Sequence, residues 1–275
     1  MLNRMSTAGR VLAYVTLLGA SAITVLPLLY MVSLALQTEA ESLSGDPVLI
    51  PETPMWGNFL ELFERAPFAN FIVNSLVVAG AITVSHLLFD PLVGYVFAKF
   101  RFPFRNTLFL LVIATMAIPF FVKMIPLYVM MSNLGWLDTY QGLITPFLMD
   151  AFGIFLMRQF IQPVPDELID AARIDGVGEF GIYWRIVLPQ VKPALAVLGV
   201  FTFVFQWNEF LWPLVATSTE EMRTIPVGLT LFSQEYFTIW NLTAAGAVLL
   251  FLPTALLFLA SQRFFVRGIA ITGMK

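Results

Sequence analysis

His86 and Asp90 stand four residues apart, so on a helix they share one face, where an imidazole and a carboxylate can hand a proton between them. Together with Asp150 they form a set that could relay protons through a membrane, the chemistry of a secondary transporter. A hydrated helix end or an inter-helix hydrogen bond would employ the same two residues, because Lys99 follows Asp90 within about two to three turns. A second constellation, Trp207, Asn208, Glu209 and Trp212, joins aromatic faces to hydrogen-bonding groups, which is how sugar rings are held. Asp150 and Glu209 lie deep in apolar sequence, where a carboxylate either lines a polar pathway or pairs with a neighbouring helix.

Other chemistries are excluded. A single histidine does not build a zinc site, and the absence of cysteine removes thiolate ligands, disulfides and cysteine nucleophiles. No Gly-Lys pair occurs, so the chain has no phosphate-binding loop of the usual kind and cannot draw energy from ATP by itself. No cofactor is expected on this chain, and no nucleic-acid partner. An intramembrane hydrolase would need a nucleophile and base pair that is not recognisable here.

The elements that must position these residues are membrane spans. Hydrophobic residues make up 59% of the chain and charged residues 12%, about half the roughly 25% charge of soluble domains, and the mean hydropathy is +0.83. Uncharged runs such as Val11–Leu36 and Tyr236–Gln262 exceed the ~20 residues needed to cross about 30 Å of hydrocarbon. Six spans are expected, over about 11–36, 69–98, 106–131, 139–157, 193–216 and 236–262, within one permease domain and without internal repeats. The first could be a secretory signal after Arg4 and Arg10, but its apolar run is well beyond the ~7 to 15 residues of such a signal, which favours a retained helix.

Placing both termini on one side gives that side 12 of the 15 Lys and Arg residues, including Lys99, Arg101, Arg105, Arg158, Arg173, Arg185 and Lys192. The other side holds Arg65 and Arg223, with Lys123 snorkelling towards it, and Glu39, Glu41, Asp46, Glu52, Glu61 and Glu64. The positive-inside rule therefore makes both termini cytoplasmic. Trp56, Trp136 and Trp240 suit the outer interfacial belt.

One polar island interrupts the apolar sequence. From Asp166 to Glu179 it carries six charges, which inside a bilayer would cost on the order of 15 to 20 kcal/mol. The island must lie outside the membrane. Pro163 and Pro165 stop the preceding span, Asp166 and Glu167 suit a helix N-terminus, Arg173 suits the last turn, and Gly176 can take the left-handed stop. A helix over about 166–175 follows, with Leu168, Ala171, Ala172 and Asp175 on one side, and then a second amphipathic piece over 179–188. Such a helix could lie on the membrane surface or dock to a cytoplasmic partner.

Asp170-Ala171-Ala172, then Asp175-Gly176, then nine residues and Ile186-Val187-Leu188-Pro189 resembles the Glu-Ala-Ala loop of ABC importer permeases, with full spacing and Asp170 in place of the usual Glu. The stretches "NSLVVA" from Asn74, "GYVFAKFRFPFR" from Gly94, "WNEFLWPLVAT" from Trp207 and the tail "FFVRGIAITGMK" are similar to the carbohydrate-importer branch, the second permease of the maltose-transporter type. The tail departs from the usual ending. The resemblance implies an all-α type I ABC importer permease with six spans in the cell membrane and a cytoplasmic coupling helix. It implies a second permease, two ATPase subunits that hold ATP and magnesium, and an extracytoplasmic binding protein, for a sugar or polyol-like solute. In this reading Glu167, Asp170, Ala171, Ala172, Arg173, Asp175 and Gly176 engage the ATPase, while Asp150, Trp207, Asn208, Glu209 and Trp212 are candidates for the pathway.

Overall fold

The computed structural model describes residues 6–45, 47–233 and 238–272, with side chains as far as residue 262. Arg4, Asp46, Tyr236 and Lys275, and the side chains of Arg263, Arg267 and the rest of the tail, lie outside the described residues. Helix α1 (Thr7–Ala35) opens with the Ser6 hydroxyl accepting from the Gly9 amide. Short helices α2 (Glu39–Leu43) and α3 (Gly57–Arg65) follow, α2 beginning in a reciprocal Thr38–Glu41 capping box. Helix α4 (Phe68–Lys99) is 32 residues long, roughly 48 Å, and ends on a basic residue that suits its C-terminus.

The next spans are broken. α5 (Arg105–Ala114) passes through a tight turn at Thr115–Ala117, and α6 (Phe120–Asn133) leaves at 96°. Ile118 is extended because it precedes Pro119, whose ring disfavours helical geometry in the residue before it. α7 (Tyr140–Ile144), extended by Thr145–Phe147, meets α8 (Ala151–Ile161) at 42° across Leu148–Asp150. α9 (Asp166–Ile174) is the helix of the polar island. α10 (Glu179–Ile182) widens into a π-helical turn at Tyr183–Val187 and continues as α11 (Leu188–Gln190). The wider turn falls just before Pro189, which has no amide for the ordinary helical ladder. α12 (Lys192–Trp207) then departs at 82°, followed by α13 (Leu211–Ala216), α14 (Ile225–Gly228) and α15 (Trp240–Thr272).

Among the described residues three helices, α1, α4 and α15, are long and apolar enough to span alone, and counting each of three bent pairs as one span gives up to six. The six spans expected from sequence are the upper bound of this range, and continuous spans over 106–131 and 139–157 are not formed. The fifth expected span also stops at Trp207 and restarts at Leu211.

The chain forms two compact units. In the first, residues up to Phe68 with Leu229–Leu252, the Asn58 amide donates to the Ala35 and Gln37 carbonyls at 2.9 Å each. Much of α1 is apolar and exposed, Ile23 at 77%, as suits a surface solvated by lipid. In the second unit, Ala69–Gly228 with Pro253 onward, two apolar clusters lie along α4. One gathers Tyr95, Met157, Ile169, Ala172, Val187 and Leu198; the other gathers Val78, Ile82, Met131, Leu143 and Trp212.

Candidate functional site

The polar island folds into a hook with defined ends. Gly176 sits at φ +78°, its amide donating to the Arg173 carbonyl at 3.1 Å and the Val177 amide to the Ala172 carbonyl at 2.9 Å, a Schellman stop that closes α9. Arg173 holds Asp170 at 3.0 Å and Glu179 at 2.7 Å, bridging α9 to α10. The hydrogen bond from Arg173 holds the Glu179 carboxyl below its ordinary pKa.

Two residues of α4 grip this hook. The Tyr95 hydroxyl donates to Glu179 Oε2 at 3.1 Å. The Lys99 ammonium, 5% exposed, donates to Asp166 Oδ1 at 2.7 Å, to the Gln162 carbonyl at 3.1 Å and to the Val164 carbonyl. Its hydrogen bond pulls the Asp166 carboxyl below the ordinary range. Sequence reading missed these grips because their partners lie more than sixty positions away and no local pattern marks them.

The faces of α9 differ from the sequence expectation in one respect. Ile169 and Ala172 point into the apolar cluster, at 2% and 6% exposure, while Glu167, Leu168, Asp170, Ala171, Ile174 and Asp175 are exposed. Ala172 is therefore part of the hook's seat and not of its free surface. Helical geometry puts residues three apart on one side, and Ile169, more apolar than either alanine, decides which side turns in. Ile174, 87% exposed, is an apolar side chain held out in the open between the charged Arg173 and Asp175.

The second site is a cavity of about 820 Å³ lined by residues of α4, α6, α8, α12 and the links at the two breaks. Lining residues include Phe120, Phe147, Phe152, Phe201 and Phe205, with Thr115, Lys123, Asp150, Thr202 and Gln206 among them. Broken helices expose backbone groups that a bilayer cannot solvate, so they must be satisfied internally or face a wet cavity. Here α4 supplies much of what is missing. Ser85 Oγ donates to the Leu148 carbonyl at 2.5 Å and His86 Nε2 meets the Phe147 carbonyl at 2.9 Å. Asp150 closes the other half, accepting the Phe152 and Gly153 amides as the N-cap of α8.

His86 Nδ1 lies 2.8 Å from Asp90 Oδ2, with both side chains buried. A carbonyl only accepts, so Nε2 carries a hydrogen, and one further proton is shared between Nδ1 and the carboxylate. Asp90 reaches so close to α8 that a Cβ at Gly153 would stand 1.8 Å from its Oδ2. His86 and Asp150 thus hold backbone at the helix break, while Asp90 faces His86 and packs closely against Gly153.

The aromatic constellation is dispersed. Trp207 is buried and stacks on Phe203 at 5.7 Å, and Trp212 is buried between Phe120 and Phe147, its indole N–H donating to the Gly142 carbonyl at 3.0 Å. Glu209 caps α13, accepting the Leu211 and Trp212 amides at 3.1 and 3.2 Å, and the Asn208 amide donates to the Val204 carbonyl at 2.7 Å. Of the pathway candidates, Asp150 lines the cavity; Trp207, Asn208, Glu209 and Trp212 are not among its lining residues.

Comparison with known proteins gives a consistent picture. Residues 91–271 match the family described as binding-protein-dependent transport system inner membrane component. The arabinooligosaccharides transport system permease protein of Halalkalibacterium halodurans is 36% identical over 256 residues, 92% of each chain. The sn-glycerol-3-phosphate transport system permease protein of Yersinia enterocolitica is 40% identical over 229 residues, 80% of this chain and 82% of the relative. A crystal structure of a bacterial ABC transporter that imports the acidic polysaccharide alginate superposes with TM-score 0.82 at 24% identity, covering 95% of this chain and 99% of that one. A second alginate transporter structure, in complex with its pentasaccharide-bound periplasmic protein, gives TM-score 0.63 at 18% identity over 93% and 94% of the two chains.

Proposed function

The chain belongs to the family of binding-protein-dependent transport system inner membrane components, and from that premise we propose that it forms half of the solute pathway of an ATP-driven importer for a sugar or polyol-like compound. It is a permease subunit and not an enzyme. A second permease chain completes the pathway, two ATPase subunits holding ATP and magnesium dock beneath, and an extracytoplasmic binding protein delivers the solute. Both termini and α9 face the cytoplasm.

The observation that carries this reading is the hook itself. A charged helix bearing the Asp-Ala-Ala…Gly pattern is gripped by α4 on one side and presents Ala171 and the fully displayed Ile174 on the other. An apolar knob amid charges fits a cleft in an ATPase subunit better than it fits water. The cavity supports the solute class, since 820 Å³ falls in the usual range for small-molecule sites and aromatic walls with scattered donors and acceptors suit polyhydroxylated rings. The relatives named above carry arabinooligosaccharide and glycerol-phosphate labels, both polyol-like.

The proton-coupled alternative built on His86, Asp90 and Asp150 is set aside. Membership of a binding-protein-dependent family argues against it, as do the structural contacts of His86 and Asp150 at the break between α7 and α8 and of Asp90 with His86. Reconstitution with the genetically neighbouring permease, ATPase and binding protein tests the proposal: uptake of labelled arabinooligosaccharide or glycerol 3-phosphate should require ATP and binding protein and should ignore a protonophore. Uptake driven by a proton gradient without ATP would overturn it. Because the chain has no cysteine, Gly178→Cys should be labelled only from the cytoplasmic side and Glu52→Cys only from outside.

A further inference from the structure

We propose that α4 is a transmission rod, with Lys99 as the positioning residue that locks it to the hook, so that displacement of α9 moves the cavity through α4 as well as through α8. The proposal rests on reading α9 as the helix that engages the ATPase.

The covalent route from α9 to the cavity runs through the Gln162–Pro165 linker into α8, whose first residues line the cavity. In that linker the Gln162 amide still donates to the Arg158 carbonyl at 2.9 Å and the Val164 amide to the Ile161 carbonyl at 3.1 Å, but Pro163 and Pro165 cannot donate, so every second rung is missing. With two of its four amides missing, it bends more easily than an unbroken helix and transmits displacement less fully. Lys99 changes this, because its ammonium bonds the carbonyls of Gln162 and Val164 inside the linker and the Asp166 carboxylate at the start of α9. Three acceptors on one buried cation fix the linker to the end of α4. Tyr95, one turn earlier, fixes the far end of the hook through Glu179 and Arg173.

From Lys99 back to His86 is thirteen residues, roughly 20 Å of continuous helix. At that depth α4 grips the broken span a second time, by Ser85 on Leu148, His86 on Phe147 and Asp90 against Gly153. The same helix is therefore clamped to the α8–α9 strip at both ends of this interval. With both clamps closed, α4 and the strip move together. With the Lys99 clamp open, α9 can pull α8 while α4 lags, and the shear falls on the His86 contacts beside the cavity.

The test uses the assembled importer in proteoliposomes, with its ATPase and binding protein, carrying Lys99→Met or Lys99→Arg. Each is measured for ATPase co-purification, solute taken up per ATP hydrolysed, and the ATP-dependent change in thiol labelling of a cysteine introduced at Met149 in the cavity wall. Lys99→Met should keep the ATPase bound and hydrolysing while uptake per ATP falls about tenfold and the labelling change disappears. Lys99→Arg should restore most of both, since a guanidinium reaches the same oxygens and keeps the charge. Full coupling and a normal labelling change in Lys99→Met would overturn the proposal, as would Arg failing as badly as Met, which would mark the position as one of packing only. If Lys99→Met does not assemble, Tyr95→Phe decides: removing one hydroxyl should lower uptake per ATP about twofold or more, and unchanged coupling would overturn the rod. Failure of the unaltered chain to retain an ATPase would refute the hook's docking role instead, a different result from any of these.

Discussion

The hook and the cavity are both polar intrusions in an apolar chain, yet they use polarity in opposite ways. In the hook, most charges are exposed and pair with one another in a folded surface, as Asp170, Arg173 and Glu179 do. In the cavity wall, His86 and Asp150 serve backbone that the breaks have stripped of partners, with Asp90 buried behind His86. Surface ion pairs are worth ~0 to 1 kcal/mol each, while breaking a buried pair costs about 3 to 5 kcal/mol. The same residue types thus fold a displayed surface in one region and hold a helix break in the other.

That contrast is sharpest where the pair is buried. Asp90→Ala should leave the buried His86 Nδ1 without the partner that shares its proton, destabilising the chain by about 3 to 5 kcal/mol, read as lost yield of folded protein in detergent. Replacing His86 and Asp90 together with leucine should recover part of that loss but leave the Phe147 carbonyl unsatisfied, a residual cost of about 1 to 3 kcal/mol. If Asp90→Ala were as stable as the unaltered chain, the claim of a structural pair would fail.

The next contrast lies between adjacent residues of α9. Ala172→Glu should disrupt the seat of the hook, adding bulk worth ~1 to 3 kcal/mol and a carboxylate inside an apolar cluster, so folded protein should fall. Ala171→Glu, on the exposed face, should leave yield and thermal unfolding unchanged and weaken ATPase co-purification. Equal behaviour of the two would break the assignment of faces. Gly176→Val should act more weakly, forcing a β-branched residue to φ +78° at a cost of about 1 to 3 kcal/mol and fraying the end of α9, visible as faster local hydrogen exchange.

The smallest effect concerns pH. Asp166 and Glu179 are held below their ordinary values of 3.8 and 4.5 by Lys99 and Arg173. A depressed folded pKa contributes stability above the unfolded value, lost only as pH falls through the folded one. The ties should therefore be constant between about pH 6 and about pH 8, and hydrogen exchange of α9, corrected for its intrinsic pH dependence, should stay flat across that window. A fall in α9 protection near neutrality would contradict these ion pairs.

The hook was legible in the sequence because everything that defines it is contiguous: prolines, acids, Arg173 and Gly176 at helical spacing, with charges too dense for a bilayer. Its inward face was half legible, since Ile169 was the better guide and the alanine pair the more conspicuous. The breaks left local signs that hydropathy overwhelmed, namely Ile118-Pro119, and Asp150 standing as an N-cap before an apolar run. What the sequence did not show for Asp150 and Glu209 is that helix breaks give each of them backbone amides to accept as a cap. Lys99 and Tyr95 were illegible because their meaning depends on partners brought close by folding. Trp207 and Trp212 show the converse, large aromatics of conspicuous binding chemistry that the fold buries away from the cavity wall.

The most direct measurement places a single cysteine at Ile174, in a chain with none of its own, and exposes the assembled importer in membranes to a short homobifunctional thiol reagent with single cysteines around the ATPase cleft. Cross-linking at Ile174→Cys should be strong, should change with ATP, and should vanish in the same membranes when the cysteine is moved to the inward-facing Ile169. Absence of any Ile174 cross-link to an ATPase that nonetheless co-purifies would contradict the hook as the site of engagement.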